Sequence, residues 1–381
     1  MLEIVKAEGV YMFDISGNRY MDLISGVSVS NTGHSHPKVV EAVKGQLDSY
    51  MHLMVYGEMI QYPQVRYAEL LAGILPQNLS TCYFVNSGSE AVEGALKLAK
   101  KNTGRSRIVS FRNSYHGSTH GALSVQGSER YKNPFRPLLP DIFLADFNDV
   151  KSLSVIDNKT ACVIIEPVQA EAGVIWPAEG FLENLRQRCS NTGSLLIFDE
   201  VQTGLGRTGR MFAFEHFNVI PDILILAKAF GGGMPLGAFI SSNDIMSVLM
   251  INPPLGHITT FGGHPVCCAA GLASLEVIIS ENLIPECRKK NEIVKNMLKH
   301  QLIKEIRGEG LMLAVKLPGP DYVDFVISNS KNYGIILDYF LFCSDSFRLA
   351  PPLTISNDEI LWACIQILKL LDDALKNVPE K

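Results

Sequence analysis

Three apolar runs in the middle of the chain each end in a charged side chain, and nothing else in the sequence constrains the fold as tightly. Cys162-Val163-Ile164-Ile165 leads into Glu166-Pro167, Leu195-Leu196-Ile197-Phe198 into Asp199-Glu200, and Asp222-Ile223-Leu224-Ile225-Leu226-Ala227 into Lys228. Continuous apolar runs of this length, separated by helical stretches, read as parallel strands covered on both faces. In open α/β sheets, ligands gather beyond the carboxyl ends of the strands. Glu166, Asp199 and Lys228 are therefore expected to face one crevice. A buried ammonium is either paired or kept partly neutral and nucleophilic, and a neutral amine attacks carbonyls. A lone strand-end lysine can instead simply reach solvent, and a structural ion-pair network would place the same three charges.

A fourth segment separates these readings. Thr81-Cys82-Tyr83-Phe84-Val85 reads as a strand, and Asn86-Ser87-Gly88-Ser89-Glu90 turns it into a helix over 91–100 with Val92, Ala95, Leu96 and Ala99 along one face. Ser and Gly at a helix start leave free N–H groups pointing at an anion, most usefully a phosphate. An ordinary N-cap uses the same residue types. Beside a strand-end lysine and a strand-end aspartate, a phosphorylated aldehyde cofactor explains more. Pyridoxal phosphate needs those parts: a lysine for the imine, a carboxylate for the pyridinium nitrogen, and a phosphate cup.

The chain has 381 residues, 47% hydrophobic and 19% charged, which is enough for two domains or one large domain with an appendage. A net charge of −5 argues against nucleic-acid binding. No apolar run approaches the length of a membrane span and no charged-then-apolar leader is seen, so a cytoplasmic protein is expected. Eight cysteines lack metal-ligand spacing; Cys267 and Cys268 sit in an Ala/Gly-rich stretch that reads as a tightly packed helix, and buried free thiols are expected. His34-Ser35-His36-Pro37 offers two histidines without a third ligand, so no metal is expected. Gly9 to Tyr20 reads as a small β-hairpin. Residues from about Asp141 to Phe239 alternate strands with helices, and after Pro265 the chain turns helical, with short strands near Leu311–Val315 and Phe347–Leu349. The expected organisation is a large α/β domain over 46–265, with a mainly parallel central sheet, and a smaller α+β domain from both termini, 1–45 and 266–381.

Gly204-Leu205-Gly206-Arg207-Thr208-Gly209 matches the glycine pattern of dinucleotide-binding dehydrogenases. That pattern must close a strand directly and open a helix. Here Glu200 to Thr203 intervene, Arg210 to Phe214 does not read as a helix on a sheet, and the following acid, Asp222, begins a strand. The NAD reading is set aside.

The same stretch, with Lys228 and Gly231-Gly232-Gly233-Met234-Pro235-Leu236-Gly237, resembles the class III pyridoxal-phosphate-dependent aminotransferases. The likeness extends over nearly the whole chain, through Asn31 to Pro37, Asn86 to Ala91, Tyr115-His116-Gly117, Glu166 to Glu171, Thr259 to Gly263, and Arg348 to Leu353. It implies fold type I and an obligate homodimer with shared active sites. It also implies transfer of an amino group from an ω-amino donor such as ornithine or acetylornithine to 2-oxoglutarate by a ping-pong cycle. A same-fold aminomutase or racemase, or a binding protein with a vestigial site, is the alternative.

By the resemblance, Lys228 is the Schiff-base lysine and Asp199 the partner of the pyridinium nitrogen. Gln202 bonds the phenolic oxygen, with Glu166 also at the cofactor. Ser87, Gly88 and Ser89 bind phosphate together with Thr260 of the neighbouring subunit, and Tyr115 stacks on the ring. For His34, His36 and His116 packing is the expected role. Arg348 grips the substrate α-carboxylate, and Glu171 pairs with that arginine when an amine end enters instead. Val27, Ser118 and Thr259 complete the substrate-contacting set. The pattern departs from many relatives at Ser118, where an arginine for a remote carboxylate often stands, and at Val27, where ornithine enzymes have a tyrosine. Which donor is used is left open.

Overall fold

The expected strands form in the expected order, and their pairing explains why the apolar runs are continuous. In this computed structural model, which describes residues 2–55 and 57–379, fourteen strands build three sheets. The central one uses β4 (Thr81–Val85), β5 (Arg107–Phe111), β6 (Ile142–Ala145), β7 (Thr160–Ile165), β8 (Leu195–Asp199), β9 (Ile223–Leu226) and β10 (Gly237–Ser241), in the order β4-β10-β9-β8-β7-β5-β6. All neighbours are parallel except at β10, which runs against both β4 and β9. Successive residues of β7, β8 and β9 enter opposite cores: Val163, Ile165, Leu196, Phe198, Leu224 and Leu226 join one, and Cys162, Ile164, Ile197, Ile223 and Ile225 the other. With both faces covered, alternation has no reason to appear in the sequence.

The helix Gly88–Thr103 starts at Ser87, whose side chain accepts from the Glu90 amide, and ends at Gly104 in the left-handed region (φ 68°). It is the predicted helix, three residues longer at each end. It lies so close on β10 that a Cβ at Gly94 would sit 2.3 Å from the Phe239 ring. Only glycine permits that approach.

Two smaller sheets join the ends of the chain. β1 (Ile4–Glu8), β2 (Tyr11–Asp14) and β3 (Arg19–Asp22) are antiparallel, with β2 and β3 the expected hairpin; β13 (Ile335–Ile336) then adds in parallel to β3. β11 (Glu305–Glu309), β12 (Met312–Lys316) and β14 (Ser346–Leu349) form an antiparallel sheet in which Arg348 stands opposite Ala314. Pro265–Ser280 is the expected tightly packed helix, with Cys267 and Cys268 buried. All eight cysteines are free thiols, six of them buried. Among the described residues no single helix is long and apolar enough to cross a membrane.

Candidate active site

Because β9, β8 and β7 are neighbours, Lys228, Asp199 and Glu166 emerge side by side at the carboxyl ends of the sheet. They line one cavity of about 440 Å³ together with Ser87, Gly88, Ser89, Tyr115, His116 and Gln202. Lys228 begins a tight turn with φ +56°. A positive φ in a non-glycine residue costs about 1 kcal/mol or more, and the surrounding packing must hold it. Burial pushes the Lys228 ammonium below the usual lysine range; Glu171, Asp199 and Glu166 pull the other way, and Arg348 adds to the lowering.

Asp199 receives the His116 ring at 2.7 Å (Nδ1 to Oδ2) and the Val201 amide at 3.0 Å. His116 is therefore more than packing. Its Nδ1 orients the carboxylate, while its buried Nε2 has no partner among the described residues. The signal in the sequence was its place between Tyr115 and Gly117, both of which line the same cavity. Glu166 accepts from the backbone amides of Tyr115 at 2.9 Å and Ala170 at 3.0 Å. Burial first, and then the Asp199 charge, raise its carboxyl to about 7 against the opposing pull of His116 and the two amides.

The start of the helix Gly88–Thr103 opens into this space, and two glycines bring the backbone close around it. A Cβ at Gly117 would fall 2.2 Å from Ser89 Oγ, and one at Gly237 would fall 2.4 Å from the Ser87 carbonyl. The first-turn amides of a helix have no partner within the helix. A helix start open to a phosphate at one end, a buried lysine whose ammonium is disfavoured at the centre and a carboxylate backed by a histidine at the other fit pyridoxal phosphate.

Next to the cavity stands a second cluster. Arg348 Nη2 donates to both Glu171 oxygens at 2.8 and 2.9 Å, its Nη1 donates to Gln202 Oε1, and its guanidinium lies over the Phe340 ring. Gln202 Nε2 donates to Glu171 Oε1 at 3.1 Å. Burial pushes the Glu171 carboxyl up, but Arg348, Gln202 and Lys228 outweigh it and hold the carboxyl below the usual range. Both ends of the Gln202 amide are thus engaged, each keeping one unused hydrogen or lone pair for a further partner.

Other expected site residues stand apart. Ser118 is exposed at the rim, 3.4 Å from the Tyr115 hydroxyl, with its amide on Ser89 Oγ. Thr259 accepts from Asn86 Nδ2 at 3.0 Å and shares with Thr260, Glu90, Glu93 and His257 a separate hollow. Val27 has φ +61° and does not line the main cavity; Val29 does. Met234-Pro235-Leu236, part of the segment that carried the family resemblance, also line it. His34 pairs with Asp22 at 2.8 Å, away from the cavity. The turns over Val201–Gly209 open no helix, so the glycine pattern there has no helix N-terminus for a dinucleotide.

Comparison with known proteins agrees with this geometry. The family model described as Aminotransferase class-III matches residues 1–371. The acetylornithine aminotransferase of Methanopyrus kandleri is 41% identical over 97% of this chain and 94% of its own length. The putrescine aminotransferase of Pectobacterium atrosepticum is 38% identical over 96% and 81%. Among solved structures, a transaminase from the marine bacterium Virgibacillus superposes with a TM-score of 0.94 at 28% identity, covering 99% of this chain and 94% of that one. With a large, mainly parallel sheet, a cavity built for pyridoxal phosphate and a family match over almost its full length, the chain belongs to the class III aminotransferases, pyridoxal-phosphate-dependent enzymes that move an amino group from an amino donor to a 2-oxo acid.

Proposed function

We propose that this enzyme takes its amino group from an ω-amino donor, acetylornithine, ornithine or a diamine, and passes it to 2-oxoglutarate in a ping-pong cycle in the cytoplasm. The observation that carries this reading is the closed Arg348–Glu171 pair beside Lys228. A guanidinium held by a carboxylate through two oxygens can exchange that partner for a substrate carboxylate of the same shape. With the pair closed, an uncharged or cationic amine end enters. With Arg348 released, the α-carboxylate of glutamate or 2-oxoglutarate takes the place of Glu171, which keeps the Gln202 amide and the Leu341 amide (3.1 Å) as donors.

Pyridoxal phosphate, when bound, supplies an electrophilic carbon and a ring that accepts electron density. The protein does the rest. Lys228 Nζ, whose ammonium burial disfavours, would carry the proton between the substrate carbon and the cofactor, off the donor carbon in the first half-reaction and onto the acceptor carbon in the second. The Asp199 carboxylate, fixed by His116, would hold the proton of the ring nitrogen. Ser87, Gly88 and Ser89 would hold the phosphate, Tyr115 would face the ring, and the remaining lone pair or hydrogen of Gln202 would be offered to the phenolic oxygen. Residues 46–265 form the unit that holds the cofactor, and the termini, 1–45 and 266–381, form the unit that brings Arg348 to it.

The active unit in this reading is a homodimer in which Thr260 completes the phosphate site of the other subunit. Support comes from the apolar surface around it: Leu255, Ile258 and Phe261 are exposed, as are Met51 and Ile60. Exposed patches of this kind mark protein–protein contacts. Neither nucleic acid nor membrane is a partner.

The test is a half-reaction screen. Candidate donors are added to holoenzyme and loss of the cofactor's visible band is followed, then 2-oxoglutarate or pyruvate is added. Bleaching by acetylornithine, ornithine or a diamine, with recovery on 2-oxoglutarate, is expected. Recovery with pyruvate alone would overturn the acceptor, and a fully active monomer in sedimentation would overturn the dimer.

A further inference from the structure

Arg207 belongs to the glycine segment that resembled a dinucleotide motif, and it has no role in the chemistry above. Its side chain is 0% exposed. Among the described residues no carboxylate lies within ion-pair distance of it; Asp22 acts on it only from further away. Its guanidinium is instead solvated by the chain itself. Nη1 donates to the Leu311 carbonyl at 2.9 Å and to the Pro351 carbonyl, and Nη2 donates to Asn31 Oδ1. Nε is buried and has no partner among the described residues.

Two of these acceptors flank the strand pair that carries Arg348. Leu311 immediately precedes β12 and Pro351 closely follows β14, the two paired strands on which Arg348 stands opposite Ala314. The lock runs in both directions, since the Leu311 amide donates back to the Arg207 carbonyl at 3.0 Å. Gly310, in the turn between β11 and β12, sits so close that a Cβ there would lie 2.4 Å from the Gly209 nitrogen. Asn31 extends the hub: its side chain donates to the Leu205 carbonyl at 2.8 Å, and its carbonyl accepts the Leu353 amide at 2.8 Å. On the cavity side the same segment carries Gln202, which accepts from Arg348.

A buried cation without a carboxylate is an expensive way to join loops if joining them were all it did. A planar fork with fixed donor directions is, however, suited to setting the angle between several carbonyls. We propose that Arg207 is a positioning residue for substrate carboxylates: by fixing the start of β12, the chain after β14 and Asn31, it sets the direction in which Arg348 meets the α-carboxylate. The inference rests on the reading that Arg348 binds that carboxylate.

The experiment measures the dissociation constant of glutarate, a non-reacting dicarboxylate, by calorimetry on holoenzyme, together with the KM for glutamate and the melting temperature. Arg207→Met should weaken glutarate and raise the glutamate KM by about tenfold through misplacement of Arg348, with Arg207→Lys recovering part of the loss. Asn31→Ala, which removes one acceptor, should weaken glutarate by about fivefold or less, the worth of one hydrogen bond. A purely structural role predicts lower melting temperatures with unchanged glutarate affinity, and that result overturns the proposal. If Arg207→Met does not fold, Asn31→Ala and Arg207→Lys decide: glutarate affinity equal to wild type in both also overturns it. Arg348→Ala is the control that separates the two claims. If it leaves glutarate affinity unchanged, the reading of Arg348 falls and this inference with it; if it weakens glutarate while the Arg207 and Asn31 variants do not, only the inference falls.

Discussion

At the cavity floor Asp199 meets His116, Glu166 meets backbone amides, and Lys228 has no carboxylate at ion-pair distance among the described residues; at the gate Glu171 and Arg348 face each other directly. Both places are buried, yet burial wins in one and attraction in the other. On the floor it lowers the Lys228 ammonium and lifts Glu166 to about 7. At the gate the Arg348 charge overcomes it, and Glu171 stays below the usual carboxylate range. Burial that disfavours the charged form eases the giving and taking of protons. Groups held as full charges lack that ease, but they can trade one carboxylate partner for another. The floor is built for proton movement, the gate for exchange.

The sharpest way to break that contrast is to remove the floor's amine. Lys228→Ala is expected to lower transamination by about 10 000-fold or more, because a single side chain both anchors the cofactor and moves the proton. Steady-state turnover within tenfold of wild type would show that the floor is not where protons move. Asp199→Asn comes next. It keeps the shape of the floor and the hydrogen bond to His116 in one tautomer, but removes the charge. A rate loss of about 100- to 1000-fold is expected from losing one preorganised electrostatic contact, with cofactor still bound, and single-turnover kinetics would measure it. A loss of only a few-fold would mean that Asp199 is not the ring partner.

A third test addresses Glu166 in cofactor-free protein. Its carboxyl moves from 4.5 to about 7 on folding. Between those values the folded protein keeps a proton that the unfolded chain has released, so stability falls as pH rises through the window and levels off above it. The full effect is on the order of 3 kcal/mol. Glu200, also raised to about 7 by burial, adds to it in the same direction. Glu166→Gln would leave one of its two backbone amides facing another donor, at about 1 kcal/mol at any pH. Even so, its urea midpoints should change less between pH 5 and 8 than those of wild type. Parallel curves would show that Glu166 is ionised in the folded protein, and the floor would then resemble the gate.

The two regions also differ in how far the sequence reveals them. The floor is legible because one strand, one direction and one terminal residue suffice: runs such as Ile223–Leu226 must be central strands, and parallel neighbours bring Glu166, Asp199 and Lys228 to the same edge. The gate joins Glu171 to Arg348 and Gln202 to both across long stretches of chain, and no local pattern encodes such a meeting. Only family resemblance pointed to it. His116 was missed because a histidine in a loop reads equally well as packing until its neighbour is known to be Asp199. Arg207 was missed because its acceptors are backbone carbonyls, which any sequence could supply. The β1 strand and the short β13 fell outside the reading for a related reason, since pairing partners and not composition define them.

The smallest expected effect concerns the rim, where the donor's far end is read. Ser118 is exposed and touches Tyr115 only weakly through its hydroxyl, 3.4 Å away. It offers no charge to a remote carboxylate, so 4-aminobutyrate should be a poorer donor than ornithine or a diamine. Ser118→Arg would add that charge. A buried charge-assisted pair would be worth tenfold or more, but at an exposed rim solvent screens it to roughly 0.2–1 kcal/mol. The expected gain in kcat/KM for 4-aminobutyrate is therefore about two- to fivefold, shrinking as salt is raised. The gate supplies the control: glutamate, whose α-carboxylate goes to Arg348, should respond much less to the substitution. A gain well above tenfold would show that the rim is closed off from water when substrate is bound, and that this edge of the site works as the gate does. No gain, with wild type already preferring 4-aminobutyrate, would place the remote-carboxylate contact on another residue.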